Sequence, residues 1–200
     1  MPGEHFYNKS NLQLFAMEST APMLPQPARP TPIPANHPLR HLLRHLTEAS
    51  FEQVGHTDPE LTVYVTGLLV DFTHVENLYR VRDARGRRLE YLVDFQLESQ
   101  RGDQADVRAI QKHLGDYALF MVGMFPESLQ RRRRPISPDY YVAQGKQAYS
   151  MVSTLDGLRP TAALFRKLAA NFETCVCALN IGKDWLRDDF YQYVMRQLQA

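Results

Sequence analysis

The chain has 200 residues, 44% of them apolar, with 23 basic residues against 22 acidic ones and a formal net charge of +1. That length suits one domain of ordinary size plus an extension, and the charge balance implies no partner by itself. No apolar run approaches the ~20 residues that a membrane-spanning helix needs.

The opening Met1-Pro2-Gly3-Glu4-His5 lacks the basic-then-apolar order of a secretory signal, which predicts a cytoplasmic chain, with Met17 as an alternative start. Cys175 and Cys177 are too close on one helix to bridge and are expected to be reduced packing residues. Between Ala21 and Pro38 seven prolines remove backbone donors and disfavour helix, so residues 1–37 are expected to form a disordered proline-rich arm. Its Pro22-x-x-Pro25 and Pro27-x-x-Pro30 spacings are those with which polyproline segments dock on aromatic grooves, although a plain spacer explains them as well.

Residues 38–200 are expected to form the domain. Apolar positions at Leu39, Leu42, Leu43, Leu46 and Phe51 predict a first helix over about 38–53. Thr57-Asp58-Pro59-Glu60 reads as a capping box that launches a second helix. Its stripe of Leu61, Tyr64, Val65, Leu68, Leu69, Phe72, Val75 and Tyr79 runs without a break. The β-branched content of Val63–Val70 suggests a strand, but length and cap favour helix. After an arginine-rich break at Gly86, a shorter helix presents Leu89, Leu92, Val93 and Leu97, and Arg101-Gly102-Asp103 separates it from the next.

That next helix, over about 104–125, is expected to bury Val107, Ile110, Leu114, Tyr117, Met121 and Phe125 and to stop at Pro126. Ser137-Pro138-Asp139 starts another, carrying Tyr141, Val142, Gly145, Ala148, Tyr149, Val152 and Leu155, in which Gly145 and Ala148 invite a close neighbour. Beyond Gly157 and Pro160, the stripe from Leu164 to Leu179 reads as one helix closed by Gly182. An amphipathic segment from Trp185 to Leu198 finishes the chain, with Phe190, Val194 and Leu198 on one face. The expected fold is all-α, an up-and-down bundle of five to seven helices.

Leu114-Gly115-Asp116 with Leu119-Phe120, then Gly123 and Phe125-Pro126, followed by Tyr140-Tyr141, Gly145 and Ala148-Tyr149, resemble the pattern of a group of uncharacterised bacterial helical proteins. The resemblance spans roughly Asp58 to Asn180. It implies a helical fold and carries no activity, cofactor or partner.

Chemistry has few footholds in the sequence. Eighteen of the 23 basic residues are arginine, and nine of those fall in two stretches, Arg80, Arg82, Arg85, Arg87 and Arg88 around Gly86, and Arg131, Arg132, Arg133 and Arg134. In an up-and-down bundle both stretches are expected at one end, where forked guanidinium groups suit phosphate. The candidate anion-binding set is therefore Arg82, Arg85, Arg87, Arg88 and Arg131 to Arg134. A solvated basic surface, partly neutralised by Asp83, Glu90 and Glu127, is the plainer alternative.

Asp71-x-x-His74 and His113-x-x-Asp116 have the i, i+3 spacing of helical metal ligands, but the wheel puts His74 and Asp116 off the apolar stripes, so both are expected to face water. His37, His41 and His45 recur every four residues and can also be read as a polar helix face. No metal site or cofactor is assigned. Catalytic fingerprints are lacking: there is no phosphate-cradling glycine loop, nucleophile elbow or zinc-spaced cysteine set. The acid pairs Asp188-Asp189 and Asp94 with Glu98 are ordinary helix-surface features.

Tyr140, Tyr141, Tyr149, Tyr191 and Tyr193 exceed what one narrow stripe needs and can line an interface with one wet edge. The sequence is thus read as a non-enzymatic interaction or scaffold module with a protein partner or self-association. The rival reading is a nucleic-acid- or phosphate-binding protein that uses the arginine-rich end. An enzyme is left open, with Tyr117, Tyr149 and Asp116 as the residues that would line its pocket.

Overall fold

The computed structural model describes residues 30–82, 92–99, 104–130 and 137–186, and among them the chain forms nine helices and no strand. They are α1 (Pro38–Gln53), α2 (Pro59–Phe72), α3 (Val75–Leu78), α4 (Leu92–Ser99), α5 (Gln104–Met124), α6 (Pro126–Gln130), α7 (Pro138–Asp156), α8 (Pro160–Ala170) and α9 (Phe172–Leu186). Seven have eight residues or more, and α3 and α6 are single turns of 4 and 5 residues. The all-α expectation stands, including the helical state of Leu61 to Phe72.

Proline is the first residue of α1, α2, α6, α7 and α8, where its missing N–H would have had no partner in any case. Side-chain acceptors complete three of these starts: His37 for Leu39 N–H, Asp58 for Glu60 and Leu61 N–H, and Ser137 for Asp139 N–H. The cap of α2 is therefore Asp58 and not Thr57. With Pro59 in the first helical position, the carboxylate of Asp58 reaches the next two amides at 2.9 and 3.4 Å.

Two long helices read from the sequence are each two in the structure. The stripe from Leu61 to Tyr79 breaks at Thr73 and His74, where the Asn77 amide donates to the Asp71 carbonyl at 2.9 Å and to its carboxylate at 3.0 Å. The stripe from Leu164 onward breaks at Asn171, whose amide donates back to the Lys167 carbonyl at 3.0 Å. At the first break the Asn77 amide takes the Asp71 carbonyl, and at the second Lys167 O accepts from both the backbone and the side-chain amide of Asn171, at 2.9 and 3.0 Å. Gly182 does not close a helix. It lies inside α9, where a Cβ would stand 2.8 Å from a methyl of Leu46 on α1.

The helix α5 is the axis of the domain, packed by α2, α4, α7 and α9. Every residue from His113 to Met124 is buried, so α5 has no single apolar stripe over this length. Its expected stripe misses at the ends: Val107 and Ile110 are half-buried, and Phe125, outside the helix, is 47% exposed. On α4, Leu92 and Phe95 are buried while Val93 and Leu97 are about half exposed, a face rotated from the expected one.

Contacts between α5 and α7 pair Arg108 with Asp156, Asp116 with Tyr149 and Ala118 with Gly145, so numbers rise on one helix as they fall on the other. The two run antiparallel, as a bundle requires. Of the tyrosines expected to line an interface, Tyr141 and Tyr149 are buried in the core, Tyr149 where α2, α5 and α7 meet, Tyr140 is 37% exposed, and Tyr191 and Tyr193 lie outside the described residues.

Gly145 and Gly115 are close-approach positions. A Cβ at Gly145 would meet Phe172 at 2.3 Å, and one at Gly115 would meet the Tyr149 ring at 2.6 Å. The α7–α8 turn is made at Gly157, with φ of +57°, and is tied by the Ser153 hydroxyl donating to Ala162 O at 2.8 Å. Lys167 on α8 clamps the start of α2 through Asp58 at 2.9 Å and Glu60 at 2.6 Å. The last residues before α1 lie on the domain, since Ile33 packs on the core and its carbonyl accepts from Arg40 at 2.9 Å. Residues 1–29 of the expected arm lie outside the described residues, as does most of the segment from Trp185 to Leu198.

Candidate functional site

The chemistry-bearing side chains of the domain meet at Asp116, in the middle of α5 and 2% exposed. Its Oδ1 accepts from the Tyr64 hydroxyl at 2.5 Å, from α2, and from the Tyr149 hydroxyl at 2.9 Å, from α7. Its Oδ2 takes Lys112 Nζ, one turn back on α5, at 2.6 Å, with an Arg80 terminal nitrogen at 3.8 Å. The sequence expectation that Asp116 faces water is overturned, because α5 is enclosed and the side opposite its stripe is packed by α2 and α7.

Arg80 lies just past α3 and organises the outer half of the cluster. Its Nε donates to His113 Nδ1 at 3.0 Å, and another of its nitrogens stands 3.6 Å from Asp71. A guanidinium can only donate, so His113 Nδ1 must be the acceptor and the ring proton sits on Nε2, which donates to Leu78 O at 3.2 Å. His113 is fully buried, and its rings of contact are Phe72 and Phe95. Burial, reinforced by the Arg80 charge, pushes its pKa down to about 4, so the ring is neutral.

The other groups are fixed as firmly. Burial pushes Asp116 up, but the charge and hydrogen bond of Lys112 and the Tyr64 hydroxyl outweigh it and hold the carboxyl below its ordinary value. Burial and the adjacent carboxylate raise both tyrosines well above theirs. With Asp71 and Asp116 negative, Arg80 and Lys112 positive, and the imidazole and phenols neutral, the cluster carries no net charge. A carboxylate offers about four acceptor positions, of which Asp116 fills three by hydrogen bonds from its own chain, with the Arg80 guanidinium in ion-pair range. Chemically the arrangement can hold helices together and keep protons in place.

The structure thus brings together Asp71, His113 and Asp116 of the two metal-spaced pairs, around the Arg80 guanidinium. His74 stays apart as the residue preceding α3, its Nε2 buried without a hydrogen-bond partner. Among the described residues no group of three or more His, Cys, Asp and Glu comes close enough to hold a metal ion. Of the trio assigned to an enzyme pocket, Tyr149 and Asp116 are hydrogen-bonded and Tyr117 is a core residue that stacks near Tyr79 and Phe95.

Sequence reasoning missed Tyr64, which it counted as part of an apolar stripe, and took Arg80 for a member of an anion-attracting cluster. A usable signal was present: an aspartate inside the otherwise apolar run from Leu114 to Met124 demands a buried partner.

A second ion pair lies two turns away along α5. Arg108 grips both oxygens of Asp156, at 2.5 and 2.8 Å, and Thr161 donates to the same carboxylate at 2.6 Å. The Arg108 hydrogen bond draws the Asp156 pKa down to about 2. Beside the α7–α8 hairpin runs a groove of about 550 Å³ lined by Lys146, Ser150, Ser153, Thr154, Arg166 and Ala169 among others. Much of its polar lining is engaged: Lys146 with Glu173, Ser153 with Ala162 O and Thr154 with Ser150 O.

Of the candidate anion-binding arginines, Arg82 is described, half-buried and engaged with its surroundings. Arg85, Arg87, Arg88, Arg131, Arg132, Arg133 and Arg134 lie outside the described residues. The described flanks differ in position: Arg80 lies against the middle of α5, whereas Gln130 ends α6, past the C-terminal end of α5.

No helix among the described residues is long and apolar enough to cross a membrane. Comparison with protein-family models, with curated proteins and with solved structures found no match to this chain.

Proposed function

We propose that the chain is a non-enzymatic interaction or scaffold module that works in the cytoplasm through a protein partner or a second copy of itself. The observation that carries this reading is the engagement of Asp116 within its own chain: its oxygens accept from Tyr64, Tyr149 and Lys112, with the Arg80 guanidinium in ion-pair range at 3.8 Å. The best-assembled polar cluster is therefore occupied with holding α2, α5 and α7 together, and recognition falls to the outer surface. Two free thiols, one of them the exposed Cys177, suit a reducing compartment.

The test is reconstitution. Proximity labelling of the full chain in cells should nominate a partner whose complex re-forms from the two purified proteins, or else the chain should self-associate in light scattering. Turnover of any compound in a metabolite mixture, lost in Tyr149→Phe, would overturn the reading. Retention on heparin with a steep salt dependence, lost when Arg131 to Arg134 are replaced by serine, would favour the anion-binding rival instead.

A further inference from the structure

We propose that the groove between α7 and α8 binds a small organic monocarboxylate, with Arg166 taking the carboxylate group, an inference that does not depend on the interaction-module reading. The groove has a volume of about 550 Å³, within the range of small-molecule sites, and no Asp or Glu lines it. Arg166 lines it and is the one basic side chain among the described residues with neither a hydrogen bond nor an ion pair. Every other described lysine and arginine engages a group of its own chain. The hairpin sets a second available group beside it. Tyr149 packs on Phe165 with ring centroids 5.8 Å apart and Ser153 donates to Ala162 O, so α7 and α8 run antiparallel with Ser150 level with Arg166. Thr47, Ser50 and Thr154 turn their hydroxyls back on the carbonyl four residues earlier, whereas the Ser150 hydroxyl makes no such bond and can donate to an arriving oxygen.

Charge decides between oxyanions. Lys146, one turn before Ser150 on α7, is already neutralised by Glu173, whose two oxygens stand 3.0 and 3.1 Å from its Nζ. The groove therefore presents one unopposed positive charge. That charge balances a carboxylate, whereas a phosphate monoester, at about −1.5 to −2, would be left with an excess of negative charge. A guanidinium fork also meets two carboxylate oxygens side by side. The uncharged body of the ligand has its floor on Ala169 and Ala170, whose single methyl groups leave the space open. Ser153 and Thr154 donate to backbone carbonyls and keep oxygen lone pairs for any polar hydrogen of that body.

The experiment is amide NMR of the full chain titrated with hexanoate, with hexyl phosphate and hexanamide as comparison probes. Hexanoate is expected to shift the amides of the α7–α8 groove and to saturate at about millimolar concentration, as suits a ligand of its size. Hexyl phosphate should bind more weakly, and hexanamide more weakly still. Arg166→Gln should lower the hexanoate affinity about tenfold and Ser150→Ala about three- to fivefold. Both positions are exposed, and the same spectra report whether the variants fold. Arg159→Gln removes a guanidinium of the same hairpin that already pairs with Asp156, and should bind hexanoate as wild type does. Glu173→Gln releases Lys146 and should tighten hexyl phosphate about two- to fivefold, the contribution of one surface ion pair. No binding of hexanoate by wild type, equal binding of hexanamide, or tighter binding of hexyl phosphate than of hexanoate would each overturn the assignment. So would undiminished binding by Arg166→Gln, or an equal loss in Arg159→Gln.

Discussion

Tyr64 of α2 and Tyr149 of α7 donate to the same oxygen of Asp116 and meet edge to face with ring centroids 6.1 Å apart. The carboxylate thus joins three helices at one atom. Removing it in Asp116→Ala would leave Lys112 and both phenols without their acceptor, and should cost about 3–5 kcal/mol of stability in denaturant unfolding. Tyr149→Phe removes one charge-assisted hydrogen bond and should cost about 1.5–3 kcal/mol. A double-mutant cycle on Tyr64→Phe and Tyr149→Phe should be non-additive, since the two share one acceptor. Equal stability of Asp116→Ala and wild type would contradict this account of the cluster.

His113 gives stability a defined dependence on pH. Its folded pKa of about 4 lies below the ordinary 6.5, so between those values the unfolded chain binds the proton and the folded chain does not. Stability is therefore complete above about pH 6.5 and falls as pH drops toward 4, by an amount on the order of 3 kcal/mol. Asp156, drawn down to about 2, adds a second loss confined to the window from 3.8 to 2. Unfolding free energies measured from pH 8 to 3 should show the first limb, and His113→Gln should flatten it.

Two glycines should respond to alanine in opposite directions. At Gly145 the new methyl would meet Phe172 at 2.3 Å, and overpacking should destabilise the chain by about 1–3 kcal/mol. At Gly67, inside α2, nothing lies within 4 Å of an added Cβ, and the gain in helix propensity should stabilise it by about 0.5–1 kcal/mol. Thermal melts of the two variants against wild type check the sign of each.

The two cysteines should differ sharply in reactivity. Cys177 is exposed, while Cys175 is fully buried and its thiol is pushed up to about 12 by burial. Ellman's reagent should label one thiol per native chain promptly and the second only after denaturation. Labelling of both at the same rate in the native chain would show that α9 does not pack as described.

The helical fold was legible because helix starts carry local chemistry: Pro38, Pro59, Pro138 and Pro160 were all seen as boundaries or first-turn residues. The breaks at Thr73 and Asn171 were not legible, since the apolar period continues across them and only a single amide, from Asn77 or Asn171, marks each. The polar cluster was half legible. A helical wheel assumes one buried side, and for α5, buried all round from His113 to Met124, that assumption sent Asp116 to water. Tyr64 looked apolar because its ring is, and its hydroxyl found Asp116 only through a fold that pairs positions 52 residues apart.

The rings of Phe172 and Tyr149 rest where Gly145 and Gly115 leave the helix backbone bare. Each glycine works as a notch cut to the width of one ring, and a notched rod cannot slide along its neighbour without lifting the ring out. Axial slippage by even one helical turn would drive Phe172 against a side chain where it now meets backbone. The lengths of α5 and α7 between their notches are thereby fixed, and insertions should be accepted at the turns between helices long before they are accepted within them.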